Sequence, residues 1–340
     1  MANLQAGRVS MMETRAQISI RGKQTEVPAI RVENADIITT GKWLKMAAIK
    51  DEDYFEGNLL SDPATVIVRF REHGGKGDIF SFSQRIPETS PKFDYPLHWD
   101  NAAALAVSSY SQWWENLSQE TRRNVRLAGK RGLVVSAVPF SDNLARGIMD
   151  IYNESPFRQG RRFWHYGKDF ETVKRDNATY PGRSQFIGAY AGSELVGFIK
   201  MVYVDKLASI MQILSKVAHQ DKKPTNALIA KAVEICAEKG ISQLVYCKYV
   251  YHQNYQDALT EFKRRNGFKQ VNFPRYFVPL TLKGRLAIAF KLQLGLTEIL
   301  PQRVVATLLE ARSRYYASRL LRPTQDHAVV PTSPNDPRPA

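Results

Sequence analysis

Only two cysteines occur in 340 residues, Cys236 and Cys247. Two thiols are too few for a disulfide framework or a cysteine-type zinc site, and they fit a reducing compartment. Histidine is scarce as well: His73, His98, His219, His252 and His327 show no metal-ligand spacing with one another or with the cysteines, so no metal is expected. Long apolar runs are missing. The longest, residues 102–107, is far short of the ~20 residues a membrane span needs, and residues 1–10 (MANLQAGRVS) lack the apolar stretch of a signal peptide. A cytoplasmic protein with no segment across a bilayer is the expectation. Acidic residues are in deficit, 33 against 48 Lys and Arg, which leaves a formal charge of +15. Such a surplus attracts nucleic acid, an anionic membrane surface or a phosphorylated substrate, and composition does not choose among them. What is abundant is hydrophobic material, 44% of the chain, which excludes disorder over most of its length and suits two domains of ordinary size.

Residues 17–85 read mostly as strands. Residues 65–70 (TVIVRF) face 78–82 (DIFSF) across Gly74, Gly75 and Gly77, a pattern that predicts a hairpin with a glycine-rich turn; the spacing is not that of a phosphate loop. Residues 101–117 (NAAALAVSSYSQWWENL) read as a helix. Ser118 then caps a second, basic helix that carries Arg122, Arg123, Arg126, Lys130 and Arg131 and stops at Gly132. A strand over 133–138 and a helix over 143–153 follow, then a polar, aromatic-rich stretch from 155 to 180. Residues 186–190, 195–204 and 208–214 predict three antiparallel strands. The next helix is capped by Thr225, buries Leu228, Ala232, Ile235 and Cys236, and ends at Gly240. Strand 243–249, helix 256–265 and strand 268–279 complete the unit. Residues 282–322 hold eight Lys or Arg against Glu298 and Glu310 and read as two basic amphipathic helices broken near Pro301; 323–340 reads as a disordered tail. The expected organisation is an N-terminal α+β domain (1–117), a second domain (118–281), the helical extension (282–322) and the tail (323–340).

The element order over 133–281 resembles the GNAT acyltransferase fold. Phe262-Lys263-Arg264-Arg265-Asn266-Gly267-Phe268 is similar to that superfamily's Phe-x-x-x-x-Gly-Phe turn between the last helix and strand. Residues 118–132 (SQETRRNVRLAGKRG) resemble the basic helix of FemAB-like and BioF2-like transferases. Together these features cover about half the chain. The resemblance implies a mixed α+β fold with a central, mostly antiparallel sheet flanked by helices, and leaves open whether residues 17–117 are a degenerate copy of the same unit. It also implies a donor, acyl-coenzyme A or aminoacyl-tRNA, lying between two splayed strands with its phosphates near the following helix. Reading the family's phosphate motif from Gln220 puts Lys223 and Thr225 where small residues belong and inserts Pro224, which has no amide hydrogen. Gln220, Lys222, Lys223 and Asn226 are the donor-phosphate candidates, with the lysines acting as point charges.

Where many GNAT enzymes carry a tyrosine after the phenylalanine of the last helix, this chain has Lys263, as Fem-type enzymes do; the resemblance makes it a catalytic candidate that stabilises an oxyanion or an acceptor phosphate. Residues 155–166 (SPFRQGRRFWHY) gather Arg158, Arg161, Arg162, His165 and Tyr166. The arginines suit bidentate contacts to phosphate or carboxylate, and His165, with an ordinary pKa of about 6.5, suits general-base work. Lys200 and Gln212, on central strands, and Tyr246 and Lys248, on the strand expected to splay, are acceptor candidates. Two functions stand side by side. One is an acyl or aminoacyl transferase acting on an amine of a small-molecule or lipid-linked cell-envelope or polysaccharide precursor, with tRNA and a membrane surface at 282–322 as partners. The other is a non-catalytic binding module that has lost the coenzyme A grip. Leu286, Ile288 and Phe290 need cover, from the core in the favoured account or from lipid in the other.

Overall fold

The computed structural model describes residues 14–294, apart from 21–22, 58, 159–160 and 252–257, together with residue 307. The two basic helices beyond residue 294, the break at Pro301 and the tail lie outside the described residues.

The N-terminal half runs β1 (Thr14–Ile20), β2 (Lys23–Val32), β3 (Ala35–Thr40), β4 (Met46–Ile49), α1 (Pro63–Glu72), β5 (Ile79–Ser83) and β6 (Leu97–Ala106). Two helices, α2 (Tyr110–Asn116) and α3 (Gln119–Lys130), lead onward. The C-terminal half continues with β7 (Leu133–Val138), α4 (Asp142–Asn153), the short β8 (Phe157–Arg158) and β9 (Arg161–Arg162), α5 (Phe170–Asn177), β10 (Ser184–Ala191), β11 (Glu194–Val204), β12 (Leu207–Ser215), α6 (Pro224–Glu238), β13 (Gln243–Val245), α7 (Ala258–Arg265), β14 (Lys269–Pro279) and α8 (Leu282–Ala289). Twelve strands form one sheet in the order β1-β2-β3-β4-β5-β14-β6-β13-β12-β11-β10-β7.

That order contains one pattern twice. β2, β3 and β4 are antiparallel, α1 crosses over, and β5 lies parallel to β4. β10, β11 and β12 are antiparallel, α6 crosses over, and β13 lies parallel to β12. The last strands are exchanged: β5 pairs with β14 from the far end of the chain, β13 pairs with β6, and β6 and β14 pair with each other at the centre. Both halves therefore need each other's strand to satisfy backbone donors and acceptors.

Two sequence expectations are corrected. Residues 65–70 are not a strand; they lie in α1, where Pro63 occupies the first turn and the Asp62 carboxylate accepts from Thr65 N at 3.2 Å. An Asp-Pro start outweighs the β-branched run, and Val66, Ile67 and Phe70 fall on one buried helical face. Residues 101–117 are not one helix either. The alanine-rich part forms β6 between β13 and β14, and α2 begins only after Ser109, whose hydroxyl caps Gln112 N. Alanine's helix propensity, a few tenths of a kcal/mol per residue over most alternatives, loses to a central position in the sheet. The three antiparallel strands are found as expected, as β10 to β12, and the long helix near 225 is found as α6, but it starts at Pro224 behind Lys223 and is not capped by Thr225. The strand expected over 243–249 is shorter, ending at Val245.

The Phe262–Phe268 turn shows why that spacing recurs. Gly267 sits at φ +88 beyond α7, Phe268 N reaches back to Lys263 O at 3.0 Å, and Phe268 enters the core. Under α6 the sheet buries Ile187, Val196 and Ile199; the neighbouring Phe186, with Leu195 and Phe198, joins the cluster beneath α4 and α5.

Candidate active site

β12 and β13 are paired through only three positions, Leu207↔Gln243, Ala208↔Leu244 and Ser209↔Val245. Two local causes then drive them apart. On β12 the register against β11 shifts between Lys200↔Gln212 and Met201↔Ile210, so Met211 is bulged and the strand bends. On the other side, Tyr246 N donates to Ala103 O at 2.8 Å and Ala103 N to Cys247 O at 2.9 Å, so the chain follows β6 instead. Residues 210–215 of β12 thus have no ladder partner on this side. Cys247 turns the corner at φ 45, its thiol 3.9 Å from Ile210 O.

The segment after Val245 is pinned from below by α7. Thr260 donates to Tyr249 O at 3.1 Å, and Lys263, fully buried, donates to the Lys248 carbonyl while its ammonium lies 4.7 Å and 4.9 Å from the ring centres of Tyr246 and Tyr251. Lys263 therefore holds one wall of the cleft and exposes no surface of its own.

The N-terminal half meets this segment through the turn Glu52–Tyr54. Tyr54 and Tyr180 pack with tilted rings, centres 5.4 Å apart, and Arg183 donates to Tyr54 O at 3.0 Å. Behind them runs an ion network. Arg275 on β14 reaches Glu52 at 3.1 Å and Asp100 on β6 at 3.3 Å, and Lys248 meets Asp100 at 3.0 Å. Glu52 also accepts from Ser83 N at 2.6 Å. Burial pushes the Glu52 carboxyl up, with Arg275 opposing; Asp100 is held low because Lys248, Arg275 and the Asn101 amide outweigh its burial. Asp53 differs from both. Its side chain is solvent-exposed and its carboxylate makes no hydrogen bond or ion pair among the described residues, while the surrounding protein raises its pKa against the pull of Arg275. Cys247 lies in the same recess, its thiol raised by burial and by Asp53 and opposed by Lys263.

The other sequence-derived candidates are placed as follows. Arg158 is half-buried and spent on structure: it donates to Ser215 O and Ile151 O, each at 2.6 Å, and to Glu154 at 3.3 Å. Arg162 lies over Trp164, Tyr166 is exposed, and the side chain of Arg161 lies outside the described residues. His165 packs on Tyr152, ring centres 4.5 Å apart, with Nδ1 buried and unpartnered; burial, helped by Lys168, pushes its pKa down to about 4. The ordinary imidazole pKa assumed from sequence does not survive that packing. Tyr152 in turn donates to Gln212 at 2.7 Å on the unladdered part of β12. Lys200 is buried, its pKa pushed down to about 8, and it donates to Asn177 O at 2.8 Å and Thr179 Oγ1 at 2.6 Å, which fixes the loop that carries Tyr180.

Near α6, Lys223 caps the helix from a left-handed conformation, φ 58, without a side-chain bond. Lys222 and Lys223 are half-buried and Gln220 is exposed, whereas Asn226 donates to Asn266 at 3.2 Å. The two amides that leave β12 are occupied by the protein itself: Glu154 accepts from Val217 N at 2.7 Å and Ala218 N at 2.9 Å. Sequence reasoning missed Asp53, Tyr54, Tyr180, Cys247 and Glu154. Asp53 and Tyr54 sit some 200 positions from the cleft's other wall, and no motif marks them.

Among the described residues no group of His, Cys, Asp and Glu is arranged to hold a metal, and no helix is long and apolar enough to cross a membrane. No family model matches the chain. A curated relative, the spermidine N(1)-acetyltransferase of Thermoplasma acidophilum, is 34% identical over 85 residues, 25% of this chain and 50% of the relative, so the chain spans about half the length of the curated relative it matches. Among solved structures FemX is similar at a TM-score of 0.52 with 10% identity, covering 78% of this chain and 89% of FemX. The C-terminal domain of a lysylphosphatidylglycerol synthetase from Agrobacterium fabrum gives 0.49 with 13% identity, covering 77% and 87%. The fold is GNAT-like, and it is similar to that of FemX.

Proposed function

We propose that the protein is an acyl or aminoacyl transferase whose cleft lies between residues 210–215 of β12 and the segment 246–251. The observation that carries this reading is the parting of β12 from β13 beside Asp53, a solvent-facing carboxylate without a hydrogen bond or ion pair among the described residues. A thioester or ester carbonyl enters the gap along the unladdered strand. Asp53 takes a proton from the acceptor ammonium; the amine then forms the C–N bond, the C–S or C–O bond to the donor breaks, and the leaving atom takes the second amine proton. Asp53 is preferred to His165 because its carboxylate faces solvent, whereas the packed imidazole has its pKa pushed down to about 4. Gln212, Tyr180 and Tyr54 line the acceptor side, and Lys222, Lys223 and Gln220 meet donor phosphates. The acceptor class is an amine on a cell-envelope or polysaccharide precursor, small or lipid-linked, in the cytoplasm. The FemX-like fold and the partial match to an acetyltransferase support this class.

A second reading is favoured by one observation. Glu154 already fills the amide pair at Val217 and Ala218, as in a binding module without a coenzyme A grip. Turnover separates the two. Acyl-coenzyme A and charged tRNA are each offered with a panel of amines, and Asp53→Asn is compared with wild type. Transfer with one donor, reduced about 10²- to 10⁴-fold in kcat by Asp53→Asn at unchanged melting temperature, is expected. No transfer with either donor, together with saturable binding of an amine precursor, establishes the binding module; full turnover by Asp53→Asn removes the base assignment.

A further inference from the structure

Five of the large apolar side chains left exposed by the fold gather at one corner: Trp43 at 65% exposure, Leu282 at 77%, Leu286 at 61%, Phe290 at 71% and Leu292 at 47%. Leu282, Leu286 and Phe290 follow one another at intervals of four, so they form a single stripe along α8. The helix's other side is seated firmly: Gly284 and Ala287 are buried, and Ala287 packs with Ile79 and Phe277. Gly284 is required there, because a Cβ would stand 1.9 Å from the Asp78 carbonyl oxygen. Ile288 finds cover in the same cluster, whereas Leu286 and Phe290 do not. Core packing of all three, the account favoured from sequence, therefore holds among the described residues for Ile288 alone.

Trp43 comes to this corner from the β3–β4 turn. Lys283 donates to its carbonyl and lies 5.0 Å from the centre of its ring, and Lys283 is itself held by Asp78 at 3.2 Å. The charge pattern is one-sided. Residues 41–50 and 279–297 contain no Asp or Glu, and they carry Lys42, Lys45, Lys50, Lys283, Arg285 and Lys291. Lys42, Lys45, Arg285 and Lys291 are exposed around the apolar side chains.

We propose that this corner docks on an anionic lipid bilayer. Trp43, Leu282, Leu286 and Phe290 enter the boundary between headgroups and acyl chains, and Lys42, Lys45, Arg285 and Lys291 meet the lipid phosphates. An exposed aliphatic stripe with an indole beside it removes apolar area from water by entering an apolar phase, and a rim of exposed cations whose neighbouring acid, Asp78, is buried and held by Lys283 selects a negatively charged one. The inference is independent of acyl transfer, because among the described residues no hydrogen bond or ion pair joins the corner's side chains to Asp53, Gln212 or residues 246–251.

Vesicle sedimentation of the full-length chain tests it, with phosphatidylcholine vesicles that contain or lack phosphatidylglycerol, at low and physiological salt. The expected result is binding only to anionic vesicles, weakened by salt, and reduced about tenfold or more both in Leu286→Glu/Phe290→Glu and in Lys42→Glu/Lys45→Glu. Absence of wild-type binding, or undiminished binding by both variants, overturns the proposal. So does a change in the leucine-phenylalanine variant from dimer to monomer, which makes the face a contact between copies. A loss of melting temperature without lipid makes it a contact within the chain and overturns the proposal equally. Turnover on a soluble acceptor, measured in parallel, keeps a failure of docking distinct from a failure of the transferase reading.

Discussion

The two halves of this sheet have the same strand topology and use it for opposite ends. Each makes a parallel pair of three ladder positions after a helical crossover. In the N-terminal half β4 runs only one residue past its last partner, to Ile49, and the neighbouring space is filled by Phe80, Phe82, Phe93, Tyr95 and Tyr276, with Phe82 and Tyr276 stacked at 5.0 Å. In the C-terminal half β12 runs on to Ser215, bulged against β11 and without a ladder partner on the β13 side, and the neighbouring residues are Gln212, Tyr246 and Cys247. A closed gap packed with aromatics is a scaffold; an open one lined with polar groups is a site. The scaffold half is not passive, since it lends the Glu52–Tyr54 turn to the other half's cleft.

The largest effect is expected from separating the halves. A fragment of residues 108–340 lacks β5 and β6, which leaves β14 without either partner and β13 with β12 alone, so it should be insoluble or unfold without cooperativity, and co-expression of 1–107 should restore it; circular dichroism and thermal melts report both. A fragment that melts cooperatively by itself would show that the strand exchange is incidental. Next, Phe82→Ala should cost about 3–5 kcal/mol in urea unfolding, because it leaves a cavity in a packed aromatic cluster. Gln212→Ala should cost only about 1–2 kcal/mol, the loss of one partner for the Tyr152 hydroxyl. Equal costs would erase the contrast between scaffold and site. A further effect concerns pH. His165 has a folded pKa near 4, below its unfolded value near 6.5, so the folded state binds fewer protons between those values. The stability it contributes is present above pH 6.5 and is lost as pH falls towards 4, on the order of 3 kcal/mol in all. His165→Phe should flatten that limb in pH-dependent melting, and an unaltered limb would place the acid sensitivity elsewhere.

Local signals in the chain read true where one element decides its own conformation. Ser118 caps α3 through Thr121 N as its position suggests, alternation marks β10 to β12, and Phe268 enters the core behind Gly267. They mislead where neighbours decide. The alanines of β6 prefer a helix alone and become a central strand between β13 and β14, and Lys263 looks like a solvated or catalytic cation until α7 turns it under Lys248. Arg158 and His165 were visible as chemistry, but burial assigns one to carbonyl oxygens and weakens the other as a base. What the amino-acid order determined by itself was the class of fold, the basic charge and the turn chemistry, because periodicity and capping act over a few residues. Which strands exchange, where the sheet parts, and the meeting of Asp53 with Cys247 were decided only in three dimensions. Those outcomes depend on contacts between residues far apart in the chain, whose free energy appears only when the sheet is complete.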